Sequence, residues 1–553
     1  MRQLTPKTQL DTLKTEAKRW LKQLRAGDAS AHARLKAAWP KAPDAPVLRD
    51  VQYALALEYG QENWKALTEI LSLHALAALS QQDLADRLLQ HAWAGDFPAA
   101  VRVLERRPEV AGINLATEIV TGDLEGVRRR LAENPRLARE KTGPHQWEPI
   151  LYLCYGHLPV PAFAQNSLAI AEALLAAGAD PRAEFNDGWD NSFTCLTGVI
   201  GQGEGVRPTH PRAVEMAELL IAAGVDPFDG QALYNTSIVA DSVFWNEILW
   251  RHCEARGQLG RWRDLPNPSI GGNVKLSVLD YLLGNAVSHG HDLRAAWLVE
   301  RGADPNGINS YSRRPHHAHA QVVGRSAMAD HLVRLGATPV VLDGVDGFQA
   351  AALNLDRERA ADIARRHPEV LTSPHPLMAA AGQGRAEAAR LMLDLGVPPD
   401  LRAPDGGRAL ISAAHSGSIE VVRLLIAAGA DIDARGTMYN ASPLSSAVYF
   451  HHQALADFLV PLSRDVASLT RLGQLERLAA VFEERPDLVG TVHPPGRNLL
   501  FFLPDDEDAA AMTARFLIDR GVVPKAADNA GVTPEGEARR RGLDEAADII
   551  AQA

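Results

Sequence analysis

Cysteine is nearly missing from this chain. Three stand in 553 residues, Cys154, Cys195 and Cys253, with no paired spacing. That excludes a disulfide-stapled scaffold and reads as free thiols in a reducing compartment. Aromatic residues are also few, at 6%. No run of about 18 apolar residues occurs, which excludes an ordinary membrane-spanning helix. Residues 1–20 contain no uninterrupted apolar stretch, so no signal peptide is expected and a cytoplasmic location is. Positive charge is in deficit, with a net of −11, which argues against general nucleic-acid affinity. The deficit is uneven. Residues 1–41 carry ten Lys/Arg against three Asp/Glu, a net of +7, so the remainder carries −18.

What is abundant is a recurring phrase. "AARLMLDLGVPPD" ends at Asp400 and "VVRLLIAAGADID" at Asp433, and their glycines, Gly396 and Gly429, are 33 residues apart. Variants recur as "AEALLAAGADP", "AELLIAAGVDP", "AWLVERGADPN" and "ARFLIDRGVVP". Within one unit, Ala409 to His415 reads as a short helix and Gly417 as a turn needing positive φ. Ile419 to Ala427 reads as a second helix, with Val421, Val422, Leu424 and Leu425 on its buried side. Gly429 then ends that helix in the left-handed conformation. Neither helix could shelter its apolar stripe alone, whereas stacked neighbours could.

These residues resemble the ankyrin repeat family. The family's Thr-Pro-Leu-His start corresponds to His375-Pro376-Leu377-Met378, Ser442-Pro443-Leu444-Ser445 and Thr533-Pro534. Other units end with Pro108, Pro135, Pro368 and Pro486 in place of Gly-Ala-Asp. Counting both styles gives roughly a dozen units of about 33 residues. The resemblance implies an all-α solenoid of helix-turn-helix units with short hairpin fingers, over residues 76–553. Spacing is irregular at 181–320: Gly178 to Gly224 is 46 residues and Gly224 to Gly302 is 78. The excess points to loops at 201–211 and 257–273, and repeat insertions often mark a binding face.

Residues 1–75 do not follow the repeat. Leu10, Leu13, Ala17, Leu21 and Leu24 form a helical stripe, and Lys14, Lys18, Lys22 and Arg25 lie opposite. A helical module able to cap the first repeat is expected here, its cations solvated or docked on the acidic body. Nucleic-acid or acidic-membrane contact through these cations is the weaker alternative.

One repeat position draws a functional expectation. Two residues before the capping Ser/Thr, a positive-φ site holds Gly406 or Gly531 in some units, and Asp190, Asn235, Ser312 or Asn440 in others. An aromatic precedes each of the latter: Trp189, Tyr234, Tyr311 and Tyr439. In register, with Ser192, Ser237 and Ser442 as caps, these rings would project from finger tips. Asn191, Arg313 and Arg314 would flank them. Exposed rings with polar tips suit recognition, although rings covering neighbouring fingers would serve packing equally. Residues 147–311 hold 16 of the 32 aromatics, including Trp147, Tyr152, Tyr155, Trp245, Trp250, Trp262 and Trp297. They either mark a special surface or fill wider gaps.

His289, His291, His316, His317 and His319 fall within 31 residues. Their spacing matches no standard zinc pattern. The resemblance places His317 on the family's loop-tying histidine, so structural roles are expected and no metal or cofactor is implied. No phosphate loop or nucleophile elbow stands out. The expected function is a scaffold presenting an aromatic-rich surface to a protein partner. The alternative is an enzyme or small-molecule-binding protein with a site at 181–320, drawing on Asp187, Asp190, Arg313, Arg314 and His316.

Overall fold

The computed structural model describes the chain except residues 1, 3, 5–9, 69, 72–78, 187, 189–191, 206, 265–275 and 437–439. It is all-α, 62% helical with 3% strand. The chain forms two compact units: Met1–Glu69 together with Val341–Ala553, and Ile70–Val340.

Both units repeat one pattern, a helical pair closed by a tight turn. In the first unit, Ala409–Ser416 and Ile419–Ala427 form a pair turned by Gly417 at φ 71°. Val421, Val422 and Leu425 are buried and Leu424 partly so. Gly429 follows at φ 96°. The first helices are lined with small residues, Ala380, Ala381, Ala413, Ala414 and Ala447, all fully buried. Alanine lets successive pairs approach closely, which is why an alanine-rich chain builds this core without many aromatics. One core cluster runs from Leu84 to Ala337 and a second from Phe348 to Ile550.

The proline-terminated units share a second signature. Second helices end at Arg106, Glu133, Arg366 and Glu484. Pro108, Pro135, Pro368 and Pro486 then each start a single 3-10 turn. A missing N–H is harmless at a first helical position, so proline both stops one helix and starts the next turn.

Capping residues also tie one repeat to the next. Ser442 caps Pro443–Tyr449 in a capping box with Ser445, and its hydroxyl donates to Asp465 Oδ2 at 2.5 Å. Asp465 caps the following helix, Val466–Arg471. In the other unit, the Thr194 hydroxyl donates to Asp229 Oδ2 at 2.5 Å, and Asp229 caps Gly230–Ser237. Burial pushes the Asp229 carboxyl up. Burial acts on Asp465 likewise, but Arg435 at 2.6 Å and the hydroxyl donors hold it below the usual range.

The N-terminal module comprises Leu10–Arg25, Ala29–Ala38 and Leu48–Glu58. Leu13, Ala17, Leu21 and Leu24 are buried as the stripe requires. Cations of the module's first helix face the last two repeats of its unit: Lys22 Nζ lies 2.9 Å from Asp548 Oδ2, and Arg25 pairs with Glu545 and Asp508. Within its own unit, the module therefore meets the C-terminal end of the array.

Candidate interaction surface

The irregular repeats carry two aromatic networks. Trp147 stacks on Phe185 with centroids 4.5 Å apart, Trp93 packs edge-on against both rings, and Tyr155 packs edge-on against Phe185 and tilted against Trp147. Trp250, Trp262 and Trp297 form a second network beside Phe228. Trp147, Tyr152, Tyr155, Trp245, Trp250, Trp262 and Trp297 are all buried. These rings fill space between irregular pairs. Their concentration between residues 147 and 311 is in large part a packing property.

The finger residues divide. Trp189, Asp190, Asn191 and Tyr439 lie outside the described residues, as does Asp187. Around the first three, Glu184–Asn186 pairs antiparallel with Ser192–Thr194, and Phe185 stacks on Phe193. The Ser192 hydroxyl donates to the Glu184 carboxylate instead of capping a helix. Thr194 caps Cys195–Ile200, two residues later than expected. Asn440 has the expected positive φ, at 50°. Its carbonyl accepts from Arg435 Nη1 at 3.0 Å.

Tyr234 and Asn235 require a correction. They sit inside the helix Gly230–Ser237, not on a finger tip. Asp229 caps this helix with its carboxylate on the Ala232 N–H, so the unit starts eight residues before the expected cap, Ser237. A Phe-Asp-Gly start had been hidden by the closer likeness of Tyr-Asn-Thr-Ser to the finger pattern. Ser237 ends the helix, donating to the Tyr234 carbonyl and accepting from Asn285 Nδ2 at 2.9 Å. Asn235 is buried, and its Nδ2 reaches the Gly201 carbonyl.

Tyr311 does stand on a loop and is 70% exposed. The loop is closed by pairing of Ile308 with Pro315. Its positive-φ residue is Arg313, at 60°, one place after Ser312. Buried Asn309 holds the loop: its Oδ1 accepts from the Tyr311 and Ser312 N–H groups, and its Nδ2 donates to the Gly284 carbonyl. Arg313 is exposed, and the N–H of Arg314 lies 3.4 Å from the Ser312 hydroxyl.

Tyr234 and Tyr311 are joined by a residue that sequence reasoning missed. Tyr281, on Val278–His289, lies with its ring centroid 6.5 Å from each. The Tyr281 and Tyr311 hydroxyl oxygens are 3.0 Å apart. The Tyr234 hydroxyl donates to Glu204 Oε1 at 2.7 Å. Burial, followed by these hydroxyl contacts, pushes Tyr234 and Tyr281 well above the usual phenol value. The row thus runs from half-buried Tyr234 through buried Tyr281 to exposed Tyr311. Tyr281 sits in "VLDYLLGNAV", which reads as plain core, so no sequence signal marked it.

The 201–211 insertion supports this side. Gln202 pairs with Arg207 across a short turn, and the Gly203 N–H donates to the Asn235 carbonyl. Arg207 lies 3.7 Å over the Trp93 ring and donates to its carbonyl. Among the described residues, an open cleft of about 470 Å³ lies elsewhere, lined by Glu247, Trp250, Arg251, Glu254, Glu300 and Arg301.

Of the five clustered histidines, His316, His317 and His319 are buried, His291 is half-buried and His289 is exposed. His316 is fully buried, so it does not meet exposed Arg313 in a composite surface site. Burial lowers it to about 4. His317 Nδ1 accepts from the Val340 N–H at 3.0 Å, tying its helix to the following loop. Among the described residues no group of three or more His, Cys, Asp or Glu side chains is placed to hold a metal. No described helix is long and apolar enough to cross a membrane.

The molecule is an all-α repeat protein with a tyrosine row beside its repeat loops. Residues 377–469 match the family model for ankyrin repeats in three copies, so this stretch of the chain is built of ankyrin repeats. Ankyrin repeats generally mediate protein–protein interaction. Among solved structures, the chain is similar to an ankyrin repeat domain from Acinetobacter baumannii, at 22% identity over 32% of this chain and 98% of that one, with a TM-score of 0.26. It is also similar to a structure of a predatory endopeptidase from Bdellovibrio bacteriovorus in complex with an immunity protein, at 17% identity over 32% of this chain and 96% of that one, with a TM-score of 0.25. No curated protein matches the chain.

Proposed function

We propose that this protein is a binding scaffold whose protein partner lies across the loops of residues 181–320, anchored on Tyr311. One observation carries the reading: a large ring is exposed on a loop that buried Asn309 holds in place. A rigid, exposed aromatic with a polar tip loses little conformational entropy on binding, which is the usual property of an interface anchor. Arg313 and the half-buried Tyr234 extend the same surface, with Arg314 beside them. Trp189, Asp190, Asn191, Tyr439 and Asn440 are the further contact candidates.

The test is affinity capture with the full chain beside its Tyr311→Ala variant. Capture should fall by about five- to thirtyfold, as an anchor worth about 1–2 kcal/mol implies, while stability changes by less than about 0.5 kcal/mol. Equal capture, or a loss of stability matching the loss of capture, would overturn the reading.

A further inference from the structure

The last helix, Asp544–Gln552, buries Ala546, Ala547 and Ile550 against the array. Its other side carries Asp544, Glu545 and Asp548. At the end of a repeat array such a polar face normally meets water. Here it meets the chain's own N-terminal helix. Lys18, Lys22 and Arg25 are spaced to share one helical face. Lys18 Nζ donates to the Gly542 carbonyl at 2.5 Å and lies 3.5 Å from both Asp544 and Glu507. Lys22 pairs with Asp548 at 2.9 Å, and Arg25 with Glu545 and, at 3.2 Å, with Asp508.

Two details set this contact apart from chance surface pairing. Asp508 Oδ2 also accepts from the Leu48 N–H at 2.8 Å, so a carboxylate from the penultimate repeat satisfies the start of the module's third helix. Glu507 is nearly buried, its Oε1 accepts from the Glu545 N–H at 2.5 Å, and Lys18 supplies the charge beside its other oxygen. Meanwhile, none of the module's described side chains belongs to the apolar core that runs from Phe348 to Ile550. The joint is made mainly of charge.

We infer that the N-terminal module is the C-terminal cap of this array, held by an electrostatic clasp, and that module and last repeat open together as one unit controlled by ionic strength. Residues nearly the whole sequence apart then share one opening equilibrium. Salt screens charge pairs, with a screening length of about 10 Å at 0.1 M falling to about 3 Å at 1 M. A clasp of partly exposed pairs is therefore far more salt-sensitive than the alanine-lined core behind it.

Hydrogen exchange on the full-length chain tests this. Between about 0.05 M and about 0.5 M NaCl, protection should fall together in 10–25, 507–519 and 544–552 and stay level in 409–427. The double variant Lys22→Glu/Arg25→Glu should exchange about tenfold faster in 544–552 at low salt. Adding Glu545→Lys and Asp548→Lys, which exchanges the signs across the joint, should restore protection. Unchanged exchange in 544–552 after charge reversal, or no recovery after the exchange of signs, would overturn the inference.

Discussion

Arg294 is 1% exposed, and among the described residues its guanidinium bonds no carboxylate. It donates instead to Asn246 Oδ1 at 2.7 Å and to the Thr236 carbonyl at 2.7 Å. Burial lowers it to about 10, so it remains charged at neutral pH. Arg294→Met would strand these acceptors in an apolar setting, and a loss of about 3 kcal/mol in denaturant unfolding is expected. Buried histidines give a second prediction. Burial lowers His157 to about 4 and His210 to about 3, from an ordinary 6.5. The folded state keeps both neutral, while the unfolded chain takes up protons below 6.5. Stability is therefore full above pH 6.5 and falls as pH drops toward 4, by up to about 1.4 kcal/mol per pH unit for each group. Melting temperatures recorded from pH 7 to pH 4 should follow this slope, and His157→Gln/His210→Gln should reduce it, leaving the part that His316 and His319, also lowered to about 4 by burial, contribute. Neither role was legible in advance. Arg294 follows an ordinary helix start, and a histidine's burial depends on what packs over it.

At the scale of the element, the turns were the readable part. Gly417, Gly429 and the capping Ser442 behave as their local chemistry requires, because a cap or a left-handed glycine is decided within four or five residues. Register in the irregular units was not readable. Two caps competed for one helix near Tyr234, and burial of Ala232 and Leu233 selects the earlier one, Asp229. The glycines themselves differ in a testable way. At Gly429 a Cβ would meet open space, so Gly429→Ala should cost only the left-handed strain, about 1 kcal/mol. At Gly122 a Cβ would fall 2.4 Å from the backbone of Ala162 and Phe163, so the same change should cost clearly more. Denaturant midpoints of the two variants compare them directly.

Across the whole molecule, stability follows nearest neighbours within each unit. Leu425 is fully buried in the second core. Leu425→Ala should cost about 2–5 kcal/mol. Hydrogen exchange should rise most in the helices of its own and adjoining repeats, Pro374–Gly382 to Gln453–Leu459. Uniform acceleration along Val341–Ala553 would instead show that this unit opens as a single body.

The sequence by itself determined the repeating helical pair, its period, its turns and its alanine-lined stacking, since each depends on residues a few places apart. Only the tertiary structure decided that Tyr281 links Tyr234 to Tyr311, that Trp147, Trp245, Trp250, Trp262 and Trp297 are interior, and that Lys18, Lys22 and Arg25 meet the final helix. Those facts join residues from 30 to over 500 positions apart. No local pattern encodes which distant surface a charged or aromatic face will meet; packing and charge complementarity select it once the repeats have stacked.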